Sequence, residues 1–197
     1  MNLKSIGSHT FDVDRLPRSQ RPLILDVGCR GHEFLRDLRQ HVGPVTLYGV
    51  DPDENVHGAI NVAIIGTGSV TQSYARFSTG EGNHLGSGYG IPDCSPKDVP
   101  CMTIDGLSRV LGVKHWDAVK LDCEGAEFGI LENWPGPIAT QISVEFHDYL
   151  EPKRWNDEYF AWLFGQLPDY AVVQHKASLV TDQRGHWDTL LILKGAL

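Results

Sequence analysis

The chain has 197 residues and a net charge of −8, and 41% of its residues are apolar. This size fits one globular domain, and the acidic balance argues against a nucleic-acid-binding protein, because neutralising phosphates needs a basic surface. No run of about 18 apolar residues is present, which argues against a membrane span.

The first 21 residues are polar and lack the apolar core of a signal peptide. The four cysteines, Cys29, Cys94, Cys101 and Cys123, have neither Cys-x-x-Cys spacing nor the density of a disulfide-rich secreted protein. We therefore expect a single cytoplasmic domain over residues 1–197 with reduced thiols. Residues 1–21 are expected to be a short extension that adds no cap of useful size.

The first half of the chain predicts strands that alternate with a helix. Residues 23–27 are nearly all apolar, as in a strand that is buried on both faces of a parallel sheet. Apolar residues at helical spacing over 34–42 predict a helix that ends at Gly43. Residues 45–50 and 62–65 predict two further strands. This alternation indicates a doubly wound α/β domain.

Residues 67–98 break this pattern with frequent glycines. Within them, residues 73–78 alternate as in a short strand, but little else is regular. A segment this long inside a compact domain predicts a lid or a binding loop. A surface insertion without regular structure is the alternative.

Regular patterns return at Thr103 and continue to the end of the chain. They predict, in order, a helix that ends at Gly112, a strand over residues 117–121, a helix over 126–134, a strand over 141–146, a helix after Pro152, and an antiparallel pair formed by residues 170–174 and 189–193. Trp155, Tyr159 and Trp162 form a stripe on the last helix. This stripe predicts core packing, with an aromatic wall for a substrate as the alternative.

The turn after the first strand has the composition of a ligand-binding edge. It contains Asp26, Gly28 and Gly31; glycine lets a backbone approach a ligand, and the following helix offers unpaired N–H groups. The Gly-x-Gly-x-x-Gly fingerprint is absent, and Asp26 would repel a pyrophosphate. Asp51 stands 20 residues after Gly31, at the end of the next strand, where an acid binds ribose hydroxyls. A role in the turn is the alternative for Asp51.

Residues 119–127, Val-Lys-Leu-Asp-Cys-Glu-Gly-Ala-Glu, form a second edge of this kind. Asp122 and Glu124 alternate, so both side chains point to one side of an extended strand. Clustered carboxylates can share a proton or hold a divalent cation. Glu145 and His147 end the next strand, and they face the same cleft if the two strands are neighbours. A nearby carboxylate would make His147 a stronger base.

These segments resemble the FkbM-type S-adenosylmethionine-dependent methyltransferases from about residue 23 to residue 147. The resemblance rests on Leu25-Asp-Val-Gly28, Tyr48-Gly-Val-Asp-Pro-Asp53, Asn61-Val-Ala-Ile64, Thr103-Ile-Asp105, the 119–127 segment with Ile130-Leu131, and Ser143-Val-Glu145. The Lys-x-Asp-x-Glu-Gly-x-Glu element followed by Ile-Leu is the distinctive part. The first two segments occur in many methyltransferases.

The resemblance implies a Rossmann-like class I methyltransferase fold of the α/β class. Such a fold has a seven-stranded, mostly parallel sheet with an antiparallel terminal strand and helices on both faces. The implied cofactor is S-adenosylmethionine, and we expect it to be bound by Asp26, Gly28, Cys29, Gly31, Asp51, Pro52 and Asp122. Arg30 and His32 are bulkier than the residues that the family usually has there, which predicts a changed methionine pocket.

Methyl transfer to a hydroxyl of a small molecule or sugar would give the second edge its role. The sulfonium is already an electrophile, so the enzyme must mainly align the acceptor oxygen and remove its proton. His147 is the first choice for the base, with Glu124 or Asp122 as alternatives. The structural alternative is that Glu124 and Glu127 cap the next helix or accept hydrogen bonds from backbone N–H groups. A divalent cation ranks below proton transfer to a side chain, and we assign no metal ligand.

Two other functions remain open at this point. An NAD-linked oxidoreductase is disfavoured by the missing glycine fingerprint. A non-catalytic Rossmann-like domain that binds a nucleoside or a partner protein is the main alternative. The preferred interpretation has a small hydroxylated acceptor as partner, with no nucleic acid and no membrane. A homo-oligomer in which a second subunit completes the site is an alternative to a single open subunit.

Overall fold

The computed structural model describes residues 1–18, 20–30, 33–66, 74–79, 84–85, 95–147, 157–178 and 186–197. Its elements in chain order are β1 (Leu3–Ile6), β2 (His9–Asp12), β3 (Leu23–Val27), α1 (Glu33–Val42), β4 (Thr46–Val50), β5 (Ala63–Ile64), β6 (Tyr74–Thr79), β7 (His84–Leu85), β8 (Ser95–Met102), α2 (Ile104–Leu111), β9 (Trp116–Leu121), α3 (Glu127–Glu132), β10 (Ala139–His147), α4 (Asp157–Gly165), β11 (Tyr170–Ser178) and β12 (His186–Leu193). None of the helices in these ranges is long and apolar enough to cross a membrane.

The central sheet of the described chain has six strands in the order β11-β12-β10-β9-β3-β4. Strands β4, β3, β9 and β10 run parallel to one another. Strand β12 runs antiparallel to both of its neighbours, which confirms the predicted antiparallel pair at the end of the chain. The prediction of a seven-stranded sheet is wrong, because the described residues form a mixed sheet of six strands.

The strand predicted over residues 62–65 is the one that the central sheet lacks. It forms β5, which pairs with β8 in a second sheet of order β5-β8-β6-β7. One isolated bridge, between Val50 and Ile60, joins β4 to the segment that leads into β5. Because β5 has only two residues, its position is set by β8, which six paired residues hold to β6.

The glycine-rich segment over residues 67–98 is described only in part. Strand β6 confirms the short strand predicted over residues 73–78. Residues 95–98 belong to β8, so the irregular segment ends earlier than predicted. The other residues of this segment, and with them the predicted lid, lie outside the described residues.

The central sheet separates two apolar layers. Because side chains alternate along a strand, Leu25 and Val119 face one layer while Ile24 and Ala118 face the other. Helices α2, α3 and α4 contribute to the first layer, and α1 contributes to the second. Helices therefore cover both faces, as predicted.

The aromatic stripe of α4 is divided between the core and the surface. Tyr159 packs on Phe128 with ring centroids 5.9 Å apart, and its hydroxyl donates to Glu132 at 2.8 Å. Trp162 is 49% exposed, so the prediction of core packing is wrong for this residue. Trp155 lies outside the described residues.

Strands β1 and β2 form a hairpin that packs over β10 and β12. The Thr10 hydroxyl donates to the Asp188 carboxylate at 2.6 Å, and the backbone N–H of Asp12 donates to the Gln141 side chain at 2.9 Å. All four residues are buried. Buried polar groups need partners, so these bonds hold the hairpin in one position. The N-terminal segment is therefore part of the domain, and the expectation that it adds no cap is wrong.

The register of the sheet brings three strand ends together. Leu121 on β9 pairs with Val27 on β3 and with Val144 on β10. The residues that follow β3 and β9 and the last residues of β10 consequently meet at one edge of the sheet. This arrangement confirms that the two edges predicted from the sequence lie side by side.

Gly28 makes the closest approach between these edges. Its φ is +80°, and a Cβ atom there would lie 1.6 Å from the backbone oxygen of Asp122. The N–H of Gly28 donates to the carbonyl of Val50 at 2.8 Å, which holds the turn in place. A side chain at Gly28 would therefore force the ends of β3 and β9 apart.

We expect Gly28→Ala to lower the free energy of unfolding by several times the cost of Gly43→Ala. Gly43 has almost the same φ, +78°, but a Cβ there would meet no atom within 4 Å. Gly43→Ala therefore reports backbone strain alone, about 1–2 kcal/mol. Urea unfolding followed by circular dichroism measures both variants. Equal losses in the two variants would contradict the steric account of Gly28.

Candidate functional site

A cavity of about 250 Å³ opens where the strand ends meet. The turn of the N-terminal hairpin forms one wall, and the turn after β3, the start of α1 and the end of β9 form the others. We call it the edge cavity; its polar lining includes Ser8, His9, Asp26, Arg30, Lys120 and Asp122. Both edges that the sequence singled out thus contribute to one cavity.

Lys120 is a buried cation between two acids. Its Nζ lies 2.9 Å from Oδ1 of Asp26 and 3.2 Å from Oδ2 of Asp122. It also donates to the carbonyl of Gly28 at 3.3 Å and lies 5.6 Å from the ring centre of Phe34. Burial alone would lower the pKa of Lys120, but Asp122 and Asp26 outweigh it and raise this pKa. Lys120 is therefore a charged member of the site, and the alternation of its strand did not reveal this.

The two acids beside Lys120 differ in their surroundings. Burial opposes ionisation of Asp122, but Lys120 and then His9 hold its pKa well below the usual range. Asp26 is 1% exposed, and the described residues offer its Oδ1 no hydrogen bond of good geometry, although Lys120 lies close. Asp26 is therefore a buried carboxylate in the cavity lining whose charge is balanced by Lys120.

His9 is a site residue that sequence reasoning missed. Its Nδ1 lies 3.3 Å from the hydroxyl of Ser143, and its Nε2 lies 3.5 Å from Asp122 and 3.8 Å from Glu145. The hydroxyl of Ser8 donates to Glu145 at 2.6 Å. No motif surrounds His9 in the sequence, and only the folding of the hairpin onto β10 brings it to the cavity.

His147 lies at the end of β10 within a group of carboxylates. Its Nδ1 is 3.1 Å from Glu127, and its Nε2 is 3.5 Å from Asp122 and 3.7 Å from Glu124. Burial alone would lower the pKa of His147, but Glu127 and then Glu124 raise it to about 10. Both ring nitrogens face protein groups, and among the described residues His147 is not part of the lining of the edge cavity.

Glu127 accepts hydrogen bonds from backbone N–H groups, which is one of the alternatives that the sequence left open for Glu124 and Glu127. Its two carboxylate oxygens accept from the backbone N–H groups of Cys123 at 2.7 Å and Gly125 at 2.8 Å. Glu127 is fully buried. It therefore links the turn after β9 to His147.

Glu124 adopts a strained backbone conformation at the site. Its φ is +52°, the one positive value among the non-glycine residues that the structure describes. Its carboxylate lies 3.2 Å from Arg30, so an ion pair connects the turns that follow β3 and β9. Such strain in a residue with a side chain is typical of functional turns.

The other predicted cofactor residues are placed as follows. Cys29 lines the edge cavity, and burial and the charge of Asp26 raise the pKa of its thiol to about 12. Asp51 is 6% exposed and is not among the described lining residues; its Oδ1 accepts from the N–H of Asp53 at 2.9 Å. Half-buried Pro52 follows it. Gly31 and His32 lie outside the described residues.

We expect Glu124→Gly to be more stable than Glu124→Ala by about 1 kcal/mol. Both variants lose the carboxylate and its contacts with Arg30 and His147, but only glycine adopts positive φ without strain. The comparison therefore isolates the backbone. Urea unfolding of both variants provides the measurement, and equal stabilities would show that the turn stores no strain at this residue.

Comparison with known proteins agrees with the predicted family. The model of the methyltransferase FkbM domain matches residues 16–177. No curated protein matches the sequence of the chain. A solved structure of similar fold is magnesium protoporphyrin IX methyltransferase from Synechocystis PCC 6803 with bound SAM, at 16% identity and a TM-score of 0.43 over 88% of this chain and 71% of that one. The family match covers most of the domain, and the chain therefore belongs to the FkbM methyltransferase family.

Proposed function

We propose that the protein is an S-adenosylmethionine-dependent methyltransferase that methylates a hydroxyl of a small molecule or sugar. The observation that carries this proposal is the contact of Lys120 with both Asp26 and Asp122, because it joins the two motif-bearing strand ends in one cavity. The alternative is a non-catalytic domain that binds a nucleoside or a partner protein.

The residues of the edge cavity fit the methionine part of this cofactor. Asp26 and Asp122 are acids of the cavity lining, and their negative charge suits the ammonium group of the methionine part. Gly28 and Cys29 line the cavity next to Asp26. Asp51 follows β4 on the other side of the Gly28 turn, where its second carboxylate oxygen is suited to ribose hydroxyls.

The side chains after β9 would act on the acceptor. When bound, the cofactor supplies an electrophilic methyl group. Asp122 lines the cavity, and its side chain is 26% exposed, so an acceptor hydroxyl can donate a hydrogen bond to it. Asp122 would accept the proton that the acceptor hydroxyl loses on methylation, and the cofactor would leave as S-adenosylhomocysteine. A weakly basic carboxylate is sufficient, because the methylated oxygen is strongly acidic until it loses this proton.

From the sequence, His147 is the first choice for the catalytic base. We now propose that it positions other side chains instead. Its ring lies between Glu127 and the pair Asp122 and Glu124. It therefore orients the carboxylates that would face the acceptor. Glu124 remains the second carboxylate of the proposed acceptor side, held by Arg30.

Two substitutions of Asp51 test the cofactor site. We expect the wild-type chain to bind S-adenosylhomocysteine in a calorimetric titration, and Asp51→Ala to bind it at least tenfold more weakly. Asp51→Asn keeps an oxygen that accepts from the N–H of Asp53 but loses the charge that strengthens hydrogen bonds to ribose hydroxyls. We expect this variant to lose affinity as well, while its fold stays intact.

The outcomes separate the candidate functions. Full affinity in Asp51→Asn together with lost affinity in Asp51→Ala would limit Asp51 to a turn role. No binding to the folded wild-type chain would contradict the proposed function and favour the non-catalytic alternative. If the wild-type chain binds the compound, the acceptor can be identified next. Mass spectrometry would detect the component of a cell extract that receives a labelled methyl group from S-adenosylmethionine.

A further inference from the structure

Three side chains of metal-ligand type converge beside the edge cavity. They come from separate parts of the chain: His9 from the hairpin, Asp122 from the turn after β9, and Glu145 from β10. One ligand atom from each lies within 4.8 Å of the other two. We propose that these three residues bind a divalent transition-metal ion.

The distances fit a metal better than direct hydrogen bonds. Nε2 of His9 lies 3.5 Å from Oδ2 of Asp122 and 3.8 Å from Oε2 of Glu145. Hydrogen bonds between nitrogen and oxygen are usually about 2.9–3.0 Å long. Ligand atoms at about 2.1 Å from a tetrahedral metal lie about 3.4 Å from one another. The two distances from His9 are therefore already close to those between ligands of one ion, and the Asp122 and Glu145 oxygens, which lie within 4.8 Å of each other, would move together on binding.

Each proposed ligand is oriented by another polar group. Metal-binding histidines and carboxylates characteristically have such partners, which set the tautomer and hold the ligand. A carboxylate oxygen has room for both a hydrogen bond and a metal, because it carries two lone pairs. The three pairs are His9 Nδ1 with Ser143 Oγ at 3.3 Å, Asp122 Oδ2 with Lys120 Nζ at 3.2 Å, and Glu145 Oε2 with Ser8 Oγ at 2.6 Å.

The charge of the cluster also favours a divalent cation. The two carboxylate ligands, Asp122 and Glu145, carry the charge that balances a divalent cation. Carboxylate oxygens together with an imidazole nitrogen form a donor set that such ions bind.

The site would have an open coordination position toward the edge cavity. His9 and Asp122 both line this cavity, and three protein ligands with one open position are typical of catalytic rather than structural metal sites. If the proposed function holds, an acceptor hydroxyl bound there would lose its proton more easily. His9 precedes residue 16, where the match to the family model begins, so this ligand is a feature of the chain beyond the matched domain.

Titration of the full chain with Co²⁺, without any methyl donor, tests the metal site. Cobalt reports its coordination through visible absorption, and it occupies sites of the kind that bind zinc. We expect one ion per chain in the wild type and at least tenfold weaker binding in His9→Ala and Glu145→Gln. His115→Ala is the matched control, because it removes an exposed histidine that lies just before β9, at the opposite end of that strand from Asp122, with its Nε2 3.0 Å from the Thr140 hydroxyl. We expect it to bind Co²⁺ like the wild type.

Each outcome supports or overturns the proposal. No cobalt band in the wild type would overturn it, as would unchanged binding in both ligand variants. A thermal melt of each variant shows whether it is folded, and Glu145→Gln, which keeps the hairpin and the size of the side chain, covers the case in which His9→Ala fails to fold. Calorimetry with S-adenosylhomocysteine on the same samples is independent: metal binding without binding of this compound would overturn the proposed function and leave the metal site standing.

Discussion

The functional edge of this protein depends on the ion pairs that the buried ammonium group of Lys120 forms with Asp26 and Asp122. A charged group in the interior is tolerated only where opposite charges compensate for its lost hydration. Asp26 and Asp122 supply these charges from the ends of two neighbouring strands. The two strand ends must therefore stay in register, and the close approach of Gly28 to the backbone of Asp122 has the same effect.

This constraint divides the edge cavity into two sides. On one side, Asp26 and the turn at Gly28 line the cavity. On the other side, Asp122, Glu145 and His9 form an acidic group under the hairpin. Lys120 lies between the sides and limits the repulsion between their carboxylates. A methyl donor on the first side and a hydroxyl on the second would meet near the end of β9.

The sequence predicted the strand ends well because their signals are local. Runs of apolar residues that stop at Asp26 and at Asp122 identify buried parallel strands and their carboxyl ends. Helix α1 and the cap of α2 at Gly112 were likewise predicted from spacing and glycine. The family resemblance was also correct, because its distinctive element lies within one continuous segment.

The features that the sequence did not predict depend on contacts between distant segments. His9 joins the site only through the folding of the hairpin onto the domain. Hydrogen bonds to β10 and β12 and the burial of Ile6 and Phe11 against Ile24 and Leu38 hold the hairpin there, and all of these contacts are between distant segments. The six-stranded sheet follows from the pairing of β5 with β8, a choice between partners that a two-residue strand does not encode. The ring of His147 faces Glu127, and Glu127 also accepts a hydrogen bond from the turn before α3. The spacing of these residues in the sequence does not show this contact.

Hydrogen–deuterium exchange of the full chain with and without S-adenosylhomocysteine tests the central claim most directly. The claim is that the hairpin turn and the ends of β3 and β9 form one cofactor-binding cavity. We predict that the compound slows exchange in residues 6–9, 27–30 and 122–125 together. Slower exchange that is confined to other segments, or binding without any change in these three, would contradict the account.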